Sequence, residues 1–191
     1  MVAAITAAVL GCAAEPGSIR QVDLRNFSYP FIESADVPSV VQWMPAHAKQ
    51  VVTLKQSEHR FESRQCRGTA LCPLLTLDSI QYGRLTGTAE DAAVVMTYHT
   101  GGSASWQYVY VVALRSGTPT IVAWLETGSR GEGGLRKIAI DGGVLSVEVN
   151  DPAEARAACC SSGFIRTSYG WRDGSFRQIG DPVRGEIPDD K

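Results

Sequence analysis

No block of Lys or Arg occurs anywhere in this chain. That absence removes one class of function, because a nucleic-acid surface concentrates positive charge on one face. The formal net charge is −2, with 18 basic and 20 acidic side chains scattered along the length. No basic amphipathic run marks a helix lying on a membrane surface. No apolar stretch reaches the roughly 18 residues that a transmembrane helix needs. The motifs H-E-x-x-H and G-x-S-x-G do not occur, which leaves a zinc protease or a hydrolase nucleophile without its signature. The cysteine spacings, C-x5-C and C-C, do not match the paired C-x2-4-C of zinc sites. The sequence therefore predicts no metal, no cofactor and no catalytic constellation. No internal repeat is long enough for a propeller.

What is present is a core-forming composition. Hydrophobic residues make up 44% and charged residues 20%, as in a globular domain rather than a disordered chain. Residues 1–11 form an apolar leader that carries no charged side chain and ends in Gly11. Val9-Leu10-Gly11-Cys12 resembles the lipobox of bacterial lipoproteins. The resemblance implies that the Cys12 thiol takes the lipid, that cleavage makes Cys12 the mature N-terminus, and that the protein is exported and held on the cell envelope. Small polar residues then follow to position 21 and read as a tether, leaving residues 22–180 as one domain and the polar, Pro-containing 181–191 as a frayed tail.

Cysteine usage points independently to export. Setting Cys12 aside leaves an even number: Cys66, Cys72, Cys159 and Cys160. Three pairings are open. Cys66 and Cys72 can close a local loop, Cys159 and Cys160 can form a vicinal disulfide, or each of the last two can tie back to one of the first two. A redox role for Cys159 and Cys160 is the alternative to a structural one.

From about residue 50 the apolar period is two. Val51–Leu54 and His59–Glu62 read as a strand pair. Leu74–Tyr82 follows with Leu75, Leu77 and Ser79 on one face, then Ala92–Tyr98 as a central strand, Trp106–Leu114 and Thr120–Leu125. Leu135–Ile140 and Val144–Val149 flank the hairpin turn Asp141-Gly142-Gly143. Phe164–Trp171 and Ser175–Ile179 flank Arg172-Asp173-Gly174. Upstream, Asp23–Pro30 reads as an edge strand stopped by Pro30, and residues 37–48, with Pro38 and Pro45, as a covering loop or short helical turn. Successive hairpins of this spacing predict an all-β fold with little helix, an antiparallel meander forming a curved sheet, a sandwich or a small barrel.

Tyr82–Val95 resembles a pattern of exported bacterial proteins in which Gly-Asp-Leu-Thr-Gly-Asp-Gly precedes an acidic residue and an apolar strand. Through that pattern it is similar to the calcium loops of FG-GAP and VCBS modules, where alternate Asp oxygens face a hard cation. Arg84 and Thr88 stand at the Asp positions here, so the ligand set is incomplete. Asp23–Pro30, Thr100–Trp106, Leu125–Arg130 with Gly133-Gly134, and Cys159–Gly163 are similar to stretches of uncharacterised bacterial lipoproteins, a resemblance that implies no activity.

Two segments are candidate binding sites. Trp106, Tyr108 and Tyr110 form an aromatic stripe at every second residue, which is either a core face or a solvent-facing platform for a sugar or protein. The Gly-rich loop from Glu126 to Arg136 carries Glu126, Arg130, Glu132 and Arg136, which either bind a ligand or pair with one another. His47, His59 and His99 are isolated, and Ser103 and Ser105 near Gly101-Gly102 read as turn hydroxyls. The leading expectation is a non-enzymatic envelope lipoprotein that binds or stabilises a protein partner, such as an accessory subunit of a membrane complex, with no nucleic acid. The alternatives are a small-ligand or glycan binder, and a hydrolase or thiol-redox enzyme using Glu126 with Glu132 or Cys159 with Cys160.

Overall fold

The computed structural model describes residues 17–31, 50–62, 72–129, 133–154 and 161–188. Among these the fold is all-β and antiparallel, and the only helical pieces are single 3-10 turns. Five strands form a central sheet in the order β3-β4-β5-β6-β7: β3 (Glu58–Arg60), β4 (Leu74–Gly83), β5 (Asp91–His99), β6 (Ser105–Arg115) and β7 (Thr118–Ser129). A second sheet runs β8 (Leu135–Asp141), β9 (Val144–Asn150), β10 (Gly163–Arg172) and β11 (Ser175–Gln178), with β12 (Val183–Glu186) also on β10. A short ribbon pairs β1 (Ser28–Phe31) with β2 (Gln50–Thr53). Neither large sheet closes into a barrel.

The central sheet is covered on both faces, which explains why β5 reads as an unbroken apolar run. Ala92, Val94, Met96 and Tyr98 face a core closed by Ile19, Leu24, Tyr29, Phe31, Val52 and Leu54 of the N-terminal segment. Ala93 and Val95 face the opposite core, where Val109, Val111 and Leu125 meet Ile138, Leu145, Val147, Tyr169 and Phe176 of the second sheet. A strand buried on both faces loses the alternation that a half-buried strand shows.

Local turn chemistry sets the hairpins. Ser116-Gly117, Gly142-Gly143 and Asp173-Gly174 all have positive φ at both positions, the two-residue geometry that matches strand twist. Gln56 and Ser57 adopt it too, at φ 54° and 76°. That turn does not pair its flanking segments as the sequence predicts. Only the bridge Lys55–Glu58 joins them, while β2 pairs with β1 and β3 with β4. The β1–β2 pairing joins segments far apart in the chain, so no local signal announces it.

Four further expectations are corrected. Pro30 lies inside β1, opposite Val51, rather than ending the strand; in a two-stranded ribbon a residue without an N–H can face outward. In β4 a bulge between Leu77 and Ser79 turns Ser79 out to solvent, and Ile80 and Tyr82 take over the core face. The supposed tail is partly structured, because β12 pairs with Gly163–Arg166. It continues the edge begun by β11, with residues 179–182 standing opposite residues 167–168 as a bulge. At the other end Ile19 is 1% exposed, so the tether gives way to the domain before residue 22. Ser18 and Gln21 cap its 3-10 turn, and Arg20 forks onto Glu90 at 2.6 and 2.7 Å. The covering-loop expectation for residues 37–48 lies outside the described residues.

Candidate functional site on the outer face of the second sheet

Among the described residues, the densest charged arrangement sits on the face of β8–β12 turned away from the core. Along β9, Leu145 and Val147 point inward, so Glu148 points outward. On β10, Tyr169 points inward, which places Phe164 and Arg166 outward by the same alternation. Arg166 stands directly opposite Glu148 in the ladder. On β8 a bulge between Leu135 and Lys137 inserts Arg136 beside the same carboxylate.

Glu148 is therefore gripped from two strands. Arg166 donates to Oε1 from Nε at 2.9 Å and Nη2 at 2.6 Å, and Arg136 Nη1 donates to Oε2. The Glu148 side chain is 6% exposed, against 30% for Arg136 and 43% for Arg166. Burial pushes its carboxyl pKa up, but the hydrogen bonds and charges of Arg166 and Arg136 outweigh that and hold it below the ordinary range. Both guanidinium groups lie over the Phe164 ring, at 5.3 Å for Arg136 and 5.2 Å for Arg166. A Cβ on Gly185 of β12 would come within 2.5 Å of that ring, so the glycine is what lets Phe164 lie against the strand backbone.

Backbone contacts fix the start of β8. Gly133 has φ +103°, its carbonyl accepts from Asn150 Nδ2 at 2.6 Å, and Leu135 N donates to Gln107 Oε1 at 2.6 Å. Arg136 follows directly. Nearby, Asp151, 2% exposed, accepts from Arg184 Nη1 at 2.6 Å and from Ala153 N at 3.0 Å. Asp151, Ser162, Arg184 and Glu186 line an open cleft of about 470 Å³ beside β10 and β12.

No protein-family model matches this chain, nor does any curated protein or solved structure.

Of the aromatic stripe, Tyr108 and Tyr110 are 2% and 0% exposed. They pack with Tyr29, Phe31 and Trp124 in a ring cluster, and the Tyr110 hydroxyl donates to Pro30 O at 2.9 Å. The solvent-facing platform is corrected accordingly: the stripe is a core face, and only Trp106 at its end is half-buried. Trp124 is also buried in this core, and Trp171 packs on the other.

The Gly-rich loop is divided. Glu126 stands opposite Tyr108 on β7 of the central sheet, whereas Arg136 is in the second sheet and bonded to Glu148. Arg130 and Glu132 lie outside the described residues. So do Cys12, Cys66, Cys159 and Cys160, while Cys72 is half-buried just before β4. Of the histidines, His59 contacts Thr53 O at 3.0 Å, His99 is exposed at the end of β5, and His47 lies outside the described residues.

In the Tyr82–Val95 loop the acids serve structure. Asp91 is 2% exposed and accepts from Leu85 N at 2.9 Å and Thr86 N at 2.7 Å. Glu90 pairs with Arg20, whose guanidinium also lies over the Tyr82 ring. These oxygens are directed at N–H and O–H donors rather than at a common cation position. Among the described residues no group of three or more His, Cys, Asp or Glu could hold a metal ion, and no helix is long and apolar enough to cross a membrane.

Sequence reasoning reached Arg136 but missed Glu148, Phe164 and Arg166. The outward position of each can be read from strand alternation. Their meeting depends on the register between β9 and β10, which residues 151–162 separate, and no turn signal encodes that register.

Proposed function

We propose that this chain is an exported bacterial lipoprotein, held on the cell envelope through Cys12, whose β domain binds and stabilises a partner protein without catalysing a reaction. It is an accessory subunit in this reading. The observation that carries it is the outward pair of guanidinium groups on β8 and β10, held in place by one buried carboxylate and an aromatic ring. Side chains fixed in this way lose little freedom on binding, which is how rigid surfaces gain affinity. The acids of the domain support the same reading. Glu148, Asp151, Glu90 and Asp91 are each spent on an Arg or on backbone N–H groups, as structural rather than proton-transferring groups.

The cleft of Asp151, Ser162, Arg184 and Glu186 favours a second reading, a small polar ligand. Its cation and one of its acids are already paired with each other, which leaves less unspent charge than on the outer face.

The anchor has its own test. Expressed from its natural start in a bacterial host, the wild-type protein is expected in the membrane fraction. Cys12→Ala is expected to shift nearly all of it to the soluble or uncleaved precursor pool, read by fractionation and immunoblot. Undiminished membrane attachment of the mature-size variant would contradict lipidation at Cys12.

A further inference from the structure

We infer that the outer face of the β8–β12 sheet docks an acidic, extended segment of the partner protein, whose carboxylates are taken by Arg136 and Arg166 across the Phe164 ring. This deepens the partner-binding reading and rests on it. Glu148 uses Nε and Nη2 of Arg166 and Nη1 of Arg136. A guanidinium carries about five N–H donors, so each arginine keeps unspent donors on its exposed side. Lys137, exposed beside Arg136, stands opposite Glu148 as well. Two cations thus share one buried anion while Lys137 stands beside them without an ion pair to it, and the face carries a positive excess that an acidic partner complements.

Geometry favours a peptide in extended form. Arg136 and Arg166 lie on strands either side of β9, and next-but-one strands are about 9–10 Å apart. Same-face side chains of an extended segment recur about every 7 Å. The reach of Arg and Glu side chains covers the difference, so acids two residues apart can each meet one guanidinium. The planar fork matches a carboxylate with two parallel bonds. Phe164 offers the apolar contact between them, and the facing hydroxyls of Ser146 and Ser168 extend the polar strip. A lipid surface is the weaker match. It rewards the number of basic residues and not their fixed orientation.

The test is fluorescence anisotropy with a labelled octapeptide of alternating Thr and Glu at low salt. The mature chain from residue 12 to residue 191, carrying Cys12→Ser, serves as the receptor. Binding is expected for this peptide and not for its Thr-Gln counterpart. Arg136→Gln with Arg166→Gln should weaken it about tenfold or more, while Arg115→Gln, at the distant β6–β7 turn, should leave it unchanged. If the double Gln variant does not fold, as judged by circular dichroism, Arg136→Lys with Arg166→Lys replaces it. That pair keeps the charge on Glu148 but loses the fork, and weaker binding is again expected. Equal binding by wild type and variant, or no preference for Glu over Gln, overturns the proposal. So does an arginine-dependent attachment to phosphatidylglycerol vesicles with no peptide binding. A native partner that still co-purifies with the arginine variant overturns this site while leaving partner binding itself intact.

Discussion

Replacing Gly133 with alanine is expected to destabilise the domain by about 3 kcal/mol or more. Two costs combine. A φ of +103° is one that side-chain-bearing residues rarely adopt, worth about 1–3 kcal/mol of strain. A Cβ there would also lie 2.2 Å from the Asn150 carbonyl oxygen, a backbone atom that cannot rotate away. Relieving that contact means separating the start of β8 from the end of β9, which breaks the Asn150 N to Gly134 O bond of 3.1 Å and displaces Arg136. Overpacking of this kind adds about 1–3 kcal/mol, a large part of the roughly 5–15 kcal/mol that holds a domain folded. Gly142 is the control. It also has positive φ, at +53°, but a Cβ there meets nothing within 4 Å, and its turn geometry accepts asparagine. Gly142→Asn should therefore stay within about 0.5 kcal/mol of wild type. Urea denaturation of the three proteins decides the matter, and equal midpoints for Gly133→Ala and wild type would show that the loop yields.

The second large effect falls on Glu148. Its native pKa is depressed, so its contribution to stability is fully present above the unfolded carboxyl pKa of about 4.3. That contribution is lost as the pH falls through the lower native value. Glu148→Gln keeps the shape, removes the charge, and leaves two half-exposed arginines facing a neutral amide. Charge-assisted hydrogen bonds are worth about 1.5–3 kcal/mol, so a deficit of about 2 kcal/mol is expected at pH 7. The deficit should shrink as the wild type itself protonates in acid. A gap of unchanged size on both sides of the carboxylate range would mean that Glu148 is not the linked group. Arg166→Gln should be worse than Arg136→Gln, because Arg166 supplies two bonds to the carboxylate. Leaving a buried charge under-paired costs more than losing the pair altogether.

The local parts of this fold were legible in the amino-acid sequence. β5, β6, β8, β9 and β10 follow from apolar pattern and from turns such as Asp141-Gly142-Gly143 and Arg172-Asp173-Gly174, whose φ requirements are written in their residues. The partners of β1, β2 and β12 were not legible, since each pairs across a long separation or along an edge with a polar sequence. The stripe of Trp106, Tyr108 and Tyr110 was found, but alternation gives a face without saying what covers it. In this domain both faces of β6 are covered, one by the N-terminal ribbon and the other by the second sheet. The site was half visible. Arg136 stood out in a loop rich in glycine and charge, yet it bonds to a strand residue twelve positions on, Glu148. A bulge in β8 delivers it there, and bulges leave no reliable mark on a short apolar pattern.

The most direct measurement of the central claim is purification of the tagged, full-length protein from gently solubilised membranes of its own organism. Whatever accompanies it in stoichiometric amount is then identified and weighed against the chain. The account predicts one protein partner, retained at low salt and released as salt rises, since contacts made by exposed guanidinium groups are screened. A chain that emerges alone at every salt concentration, while still anchored, contradicts partner binding and turns attention to the cleft of Asp151, Ser162, Arg184 and Glu186.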